Sequence, residues 1–203
     1  MTERELQIRQ AWAEARALVM VQSRAIRTLY DTSFESKSAW EHEVARMYTS
    51  NIRELGAEEK IKATREFLHT LSSLESVRDI SLGAFFVAAD NILQTFARKI
   101  NLPTGLELKV GPSTNGITFS ELAHAASADF RHYTVWKPAP KRRSPDMEVL
   151  IRFGVPEDMV NRNVCGLVMD LFKPLNGESL ELALHHAVNE IGESGVKSLN
   201  ASP

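Results

Sequence analysis

Cysteine is almost absent from this 203-residue sequence, which contains only Cys165. A single thiol excludes the internal disulfide framework that many small secreted domains use for stability. Cys165 has apolar neighbours, among them Val164, Leu167 and Val168. We therefore expect a buried structural thiol and a protein of a reducing compartment, the cytoplasm.

The sequence also lacks an excess of charge of either sign. Its 24 Lys and Arg residues face 26 Asp and Glu residues, which gives a formal net charge of −2 at pH 7. A surface with this balance does not attract phosphate backbones or acidic membranes as a whole. Binding to a nucleic acid would therefore need a local basic patch.

Long apolar runs are missing as well. The most apolar stretch, residues 80–93, contains Asp90 and Asn91 and is too short to span a bilayer. The first ten residues (MTERELQIRQ) are charged and lack the apolar core of a signal peptide. We expect no membrane-spanning segment and no membrane partner.

Common catalytic and ligand-binding motifs are incomplete or absent. The loop 111–118 (GPSTNGIT) has the glycine spacing of a phosphate-binding P-loop, but Ile117 stands where that motif needs lysine. His42 and Glu43 begin a zinc-protease motif that Arg46 breaks at the second His position. The sequence contains no G-x-S-x-G nucleophile elbow. We expect no metal and no cofactor.

Amphipathic helix patterns fill most of the chain, whereas strand-like alternation is confined to residues 106–110. Capping signals at Thr2, Ser38, Ser76, Thr118 and Ser144, with Gly or Pro stops that include Gly56, Gly154 and Gly192, place the predicted helices at 2–30, 38–56, 57–71, 77–100, 119–136, 145–153, 156–172 and 178–191. The sequence thus predicts an all-α protein, a single bundle of about eight helices over residues 1–192. It has a long N-terminal helix, a buried central helix at 77–100 and a disordered tail at 193–203.

The helix predicted at 119–136 carries the first candidate site. His124 and Arg131 are seven residues apart and therefore lie on nearly the same face, while His132 follows Asp129 by three residues. Two imidazoles, an orienting carboxylate and a guanidinium could bind a phosphodiester or transfer protons. The alternative is structural, because four alanines on the same helix indicate close packing. On the first interpretation Arg131, His132 and His124 are candidate catalytic residues.

A basic segment follows the same helix. Aromatic residues recur every three positions at Phe130, Tyr133 and Trp136, and the cations near them are Arg131, Lys137, Lys141, Arg142 and Arg143. Aromatic rings beside a basic run can stack bases while the cations hold phosphates. The alternative is that the rings belong to the core and the cations solubilise a Pro-rich loop. The nucleic-acid interpretation makes Lys137, Lys141, Arg142 and Arg143 candidate binding residues.

An apolar helix (SLGAFFVAADNILQTFARKI) followed by a helix with ADFRHYTVW resembles the HEPN superfamily over residues 77–136. That resemblance implies a compact helical bundle. The HEPN superfamily includes RNA-cleaving toxins and defence effectors. Active members carry an Arg, four to six further residues and then a His, usually completed across a homodimer. Here Arg131 and His132 are adjacent instead, and they are the residues to which the family's roles would pass.

Two functions from different classes follow. The first is a non-catalytic protein-interaction module, a homodimer or a binder of another protein through the long first helix or the apolar central helices. The second is an RNA-binding protein or metal-independent RNase of the HEPN type. A ligand-binding bundle or small-molecule enzyme that uses His124 or His185 is a third alternative.

Overall fold

A computed structural model describes residues 1–50, 54–132, 144–160, 163–172 and 180–200. Within those residues it contains six helices: α1 Glu3–Thr49, α2 Ala57–Lys99, α3 Phe119–His132, α4 Pro145–Phe153, α5 Cys165–Leu171 and α6 Leu180–Asn200. A two-stranded antiparallel hairpin, β1 Ser113–Thr114 and β2 Ile117–Thr118, precedes α3. The prediction of an all-α fold is confirmed, whereas about eight helices were expected and six are counted in the described residues.

The first helix does not end near Tyr30 as predicted, because α1 continues through residues 31–37 (DTSFESK) to Thr49. That stretch is polar, but it contains neither Gly nor Pro, so nothing in its backbone stops a helix. Ser33 and Ser36 occupy its buried face. Two predicted helices are therefore one, and Ser38 is not an N-cap.

The two helices predicted at 57–71 and 77–100 are likewise one, α2. The expected break contains Ser73 and Ser76, whose hydroxyls donate to the carbonyls of His69 (2.9 Å) and Ser72 (2.8 Å). Serine side chains that bond to the carbonyl of the preceding turn are compatible with an uninterrupted helix. Ser76 consequently lies inside α2 and does not begin it.

Local capping signals placed four other boundaries correctly. Thr2 caps α1 by accepting from the Glu5 amide, and Thr118 caps α3 by accepting from the Glu121 amide. Ser144 accepts from the Met147 amide ahead of Pro145, and α4 ends at a left-handed Gly154. These signals were reliable because each one involves residues at most a few positions apart.

The glycine-containing loop before α3 is a β-hairpin. Asn115 and Gly116 form its turn with φ of 53° and 74°, the left-handed pair that joins tight antiparallel strands. Residues 107–109, inside the stretch with strand-like alternation, form a short 3-10 turn instead. The Thr118 hydroxyl then donates to the Leu108 carbonyl at 2.5 Å, which fixes the hairpin at the start of α3.

The C-terminal part departs most from the prediction. Helix α6 does not stop before Gly192 but continues to Asn200, so residues 193–200 of the predicted disordered tail are helical. A side chain at Gly192 would place its Cβ 2.2 Å from the Trp12 ring, so this glycine permits close contact between α1 and α6. The helix predicted over 156–172 is reduced to α5, with turns at 157–160 and residues 161–162 outside the described part.

Helices α1 and α2 run antiparallel. Glu14 forms an ion pair with Lys99 near one end, and Lys37 and Arg78 both contact Asp170 farther along. The core lies on the half nearer Glu14 and Lys99. Five phenylalanines connect α2, α3, α4 and the end of α5 there, with ring centroids 5.3 to 6.4 Å apart: Phe86, Phe85, Phe119, Phe172 and Phe153.

The predicted central helix corresponds to the second half of α2. Leu82, Phe85, Phe86 and Ala89 are fully buried there, as expected, but Val77 and Ile80 are 43% and 56% exposed. In the described part of the chain, α2 is the one helix long and apolar enough to cross a membrane, and 61% of its apolar window is buried inside the protein. Core helices of globular proteins meet the same criterion.

Candidate functional site

A buried carboxylate, Asp90, lies in the second half of α2 and is only 4% exposed. Four side chains of α2 and α3 approach its two oxygens: Gln94 Nε2 at 2.9 Å, His124 Nδ1 at 3.0 Å, Ser127 Oγ at 3.3 Å and Arg131 Nη2 at 3.6 Å. An ionised carboxylate removed from water needs such donors and positive charge. We refer to Asp90 and these four residues as the Asp90 network.

His124 is the half-buried member of the network. Its Nδ1 faces Asp90, and its Nε2 lies 3.7 Å from a carboxylate oxygen of Asp146 in the first turn of α4. The hydrogen bond to Asp90 raises the pKa of His124 above its ordinary value of 6.5, although partial burial acts in the opposite direction. The imidazole therefore joins α2, α3 and α4 and is favoured in its charged form.

Gln94 and Arg131 complete the surroundings of Asp90. Arg98 donates to Gln94 Oε1 at 2.6 Å, which directs the Gln94 amide nitrogen towards Asp90 and towards His124 Nδ1 at 2.8 Å. Arg131 donates to Asn91 Oδ1 at 3.2 Å on the outer side of α2. The structure thus brings His124 and Arg131 together, as their seven-residue spacing predicted, through an acid on another helix.

The other predicted site residues have different surroundings. His132 is exposed at the end of α3, and Asp129, which was expected to orient it, is fully buried and accepts a hydrogen bond from the Val164 amide at 3.1 Å. Phe130 packs over Gly83 of α2, where a Cβ would lie 2.0 Å from its ring. The four predicted nucleic-acid-binding residues, Lys137, Lys141, Arg142 and Arg143, lie outside the described residues, as do Tyr133 and Trp136.

The sequence-based prediction omitted Asp90, Gln94 and Asp146. A usable signal was present, because Asp90 interrupts the most apolar stretch of the chain, and a buried charge requires partners. The partners themselves were not predictable, since His124 lies 34 residues away on another helix. In the described part of the chain, no group of three or more His, Cys, Asp and Glu residues is arranged to hold a metal ion.

The charge on His124 should make stability depend on pH. Because its folded pKa is raised, the interaction with Asp90 contributes fully below pH 6.5 and is lost as the pH rises through the folded pKa. His124→Gln should therefore cost about 1 kcal/mol of unfolding free energy near pH 5.5, a value reduced for the partial exposure of the ring, and much less near pH 9. Urea denaturation at both pH values measures the difference.

The matched control is His69→Gln, which replaces an exposed histidine on α2. We expect that variant to stay close to the unaltered protein at both pH values. A cost of His124→Gln that is the same at low and high pH would show that the imidazole contributes by shape alone.

A second candidate feature is the outer face of α2. At 100° per residue, one side of this helix carries Val77, Ile80, Ala84, Val87, Ala88, Asn91 and Thr95, all of them exposed or half-buried. A groove of about 510 Å³ runs along it, with Leu18 and Gln22 of α1 on one side and Phe130 of α3 on the other. We call these seven α2 residues the outer stripe.

The outer stripe contains no Lys, Arg, Asp or Glu, and its middle consists of the small residues Ala84 and Ala88 with Val87. Small side chains permit close approach of a second helix, and a surface without charge can face an identical copy without repulsion. The chain matches no protein-family model, and comparisons with curated proteins and with solved structures likewise find no match.

Proposed function

We propose that this protein is a non-catalytic helical interaction module that forms a homodimer through the outer stripe of α2. The observation that supports this function is that the second half of α2 is apolar around most of its circumference, while one chain covers only part of it. A helix that is hydrophobic on all sides is normally buried on all sides. A second copy of the chain would bury the remaining side.

A two-fold axis close to Ala84 and Ala88 would set the outer stripes of two copies against each other. The same patch of each copy then forms both sides of the interface, as two-fold symmetry requires, and Val77 and Ile80 lose their exposure. The absence of charge favours a second copy over a basic or acidic partner, which would need complementary charges on this face.

Light scattering coupled to size exclusion tests the proposal. We expect a particle of twice the 22.7 kDa of one chain, with dissociation on dilution over a roughly hundred-fold concentration range if the dimer is weak. A particle of 22.7 kDa at every concentration would rule out the homodimer.

A second proposed function is that of a metal-independent RNase or RNA-binding protein, as the resemblance to the HEPN superfamily implies. The supporting observation is that a charged imidazole, His124, and the Arg131 guanidinium lie around one carboxylate at the edge of α3, with His132 exposed beside them. The exposed part of the Arg131 side chain can contact a phosphodiester, and a histidine can transfer its proton. Lys137, Lys141, Arg142 and Arg143 would extend the phosphate contacts.

The pure protein should then cleave or bind labelled RNA in the presence of a metal chelator. We expect His132→Ala to lower cleavage by about 100-fold or more, the usual contribution of acid or base catalysis, and Arg131→Ala to lower it by a similar factor because it removes a charge that stabilises the reacting phosphate. Arg152→Ala, an exposed arginine of α4, is the matched control and should leave it unchanged. Activity retained in both test variants, or no activity in the unaltered protein, would remove this function.

A further inference from the structure

A cleft with both charged and apolar walls lies where α1, α2 and the start of α5 approach one another. Its volume is about 560 Å³, within the roughly 300–1,000 Å³ range of small-molecule sites. Its walls come from α1 around Trp40, from α2 around Asp79, and from the segment around Asn163 that leads into α5. None of its lining residues belongs to the outer stripe or to the Asp90 network, so the cleft is a separate feature.

The charges on the described walls are mostly acidic. The two lining cations, Lys37 and Arg78, both contact the carboxylate of Asp170 at 2.6 Å, and Arg78 also donates to the Gly166 carbonyl. Three further carboxylates line the cleft, those of Glu41, Glu75 and Asp79. The cations are therefore already occupied, and the acids exceed them by two among the described lining residues.

Asp79 is the acid that the fold holds in place. Its carboxylate accepts a hydrogen bond from the Gly166 amide at 2.9 Å, and a Cβ on Gly166 would lie 2.2 Å from the same oxygen. Only glycine at position 166 permits this approach. Burial raises the pKa of Asp79 to about 6, so a positive group beside it would relieve the cost of its ionised form.

Asn163 supplies a second acceptor at the wall of the cleft. It is 8% exposed, adopts a left-handed backbone (φ 58°), and its Oδ1 is buried without a hydrogen-bond partner among the described residues. Buried amide oxygens in folded proteins are nearly always bonded, so an exception indicates a missing donor. This oxygen is closed off from the cleft, so a ligand with N–H groups would provide that donor once the Asn163 side chain turns towards it.

We propose that this cleft binds a small organic cation with an ammonium group, held by Asp79 and Glu75, with Asn163 Oδ1 as a further acceptor after its side chain turns towards the ligand. Trp40, which is 37% exposed at the cleft, offers an indole face that attracts cations. Carboxylates, an amide oxygen and an aromatic ring all favour a donor-rich positive ligand. An anion would find the two cations already paired with Asp170.

Isothermal titration of the full chain with three five-carbon probes tests the proposal. We expect cadaverine, a diamine, to bind, while the neutral 1,5-pentanediol and the dianion glutarate do not. Glu75→Gln and Asp79→Asn should each weaken cadaverine binding by about ten-fold, since each removes a charge that pairs with the ammonium group. Glu66→Gln, an exposed acid of α2 that does not line the cleft, should have no effect.

Three results would overturn this assignment: no heat of binding with cadaverine, tighter binding of glutarate, or unchanged cadaverine affinity in both Glu75→Gln and Asp79→Asn. Glu75 is exposed, so its substitution does not threaten the fold. An unchanged cadaverine affinity in both variants therefore cannot be ascribed to unfolding. The outcome does not depend on whether the chain dimerises, because the outer stripe lies elsewhere on α2.

Discussion

Ile80→Glu is expected to convert the proposed dimer into a monomer and to halve its molar mass. Ile80 is 56% exposed, so its substitution removes little packing within one chain. In the dimer, two new carboxylates would enter an uncharged interface, one on either side of the two-fold axis, and neither would have a partner there. Removing an apolar contact and burying an unpaired charge on both sides should cost about 2 kcal/mol or more, roughly 30-fold in Kd. Light scattering at matched concentrations measures the change.

Leu68→Glu provides the matched control. Leu68 is 58% exposed, belongs to the same helix and lies on its opposite side, away from the outer stripe. The Leu68→Glu variant introduces the same charge at nearly the same exposure. A fall from dimer to monomer mass in Ile80→Glu alone therefore identifies the interface. Equal masses for the two variants, whether both dimeric or both monomeric, would contradict the assignment of the outer stripe.

Phe119→Ala is expected to lower the free energy of unfolding by about 3–5 kcal/mol, a large part of the roughly 5–15 kcal/mol typical of whole domains. Phe119 is fully buried at the start of α3, and its ring contacts Phe85 of α2 and Phe172 after α5 at centroid distances of 6.4 and 6.0 Å. Truncation would leave a cavity where three helical segments meet. Urea denaturation followed by circular dichroism gives the difference.

The same substitution at Phe34 is the control, because this phenylalanine is 62% exposed on α1. Surface truncations away from special features usually change stability by about 0.5 kcal/mol or less. A comparable loss of stability at the two positions would mean that Phe119 does not connect α2, α3 and α5 as the structure indicates.

Helix starts and several stops could be predicted because they depend on neighbouring residues. The N-caps Thr2, Thr118 and Ser144 each bond to an amide three positions later, and Gly154 ends α4 because it adopts a left-handed backbone. The same reasoning failed at Ser76 and Gly192. A cap residue inside a helix can bond backwards to a carbonyl, and a glycine inside a helix can serve packing.

Only part of the candidate site could be predicted from the sequence. The spacing of His124 and Arg131 placed them on one side of α3, since helical geometry is local. Asp90, which brings them together, belongs to α2, and no periodicity in either helix specifies which residue of the other it meets. The cleft around Asp79 is likewise assembled from three parts of the chain that are far apart in sequence.

The sequence by itself determined that the chain is all-helical, where most helices begin, and which half of α2 fills the core. Those properties follow from backbone preferences and apolar periodicity within a few turns. Only the tertiary structure decided that four predicted helices merge into α1 and α2, that Gly192 accommodates Trp12, and that one side of α2 stays uncovered. These outcomes depend on contacts between helices that are far apart in the sequence. The pattern of one helix shows that it has an apolar face but does not show which other helix will cover that face.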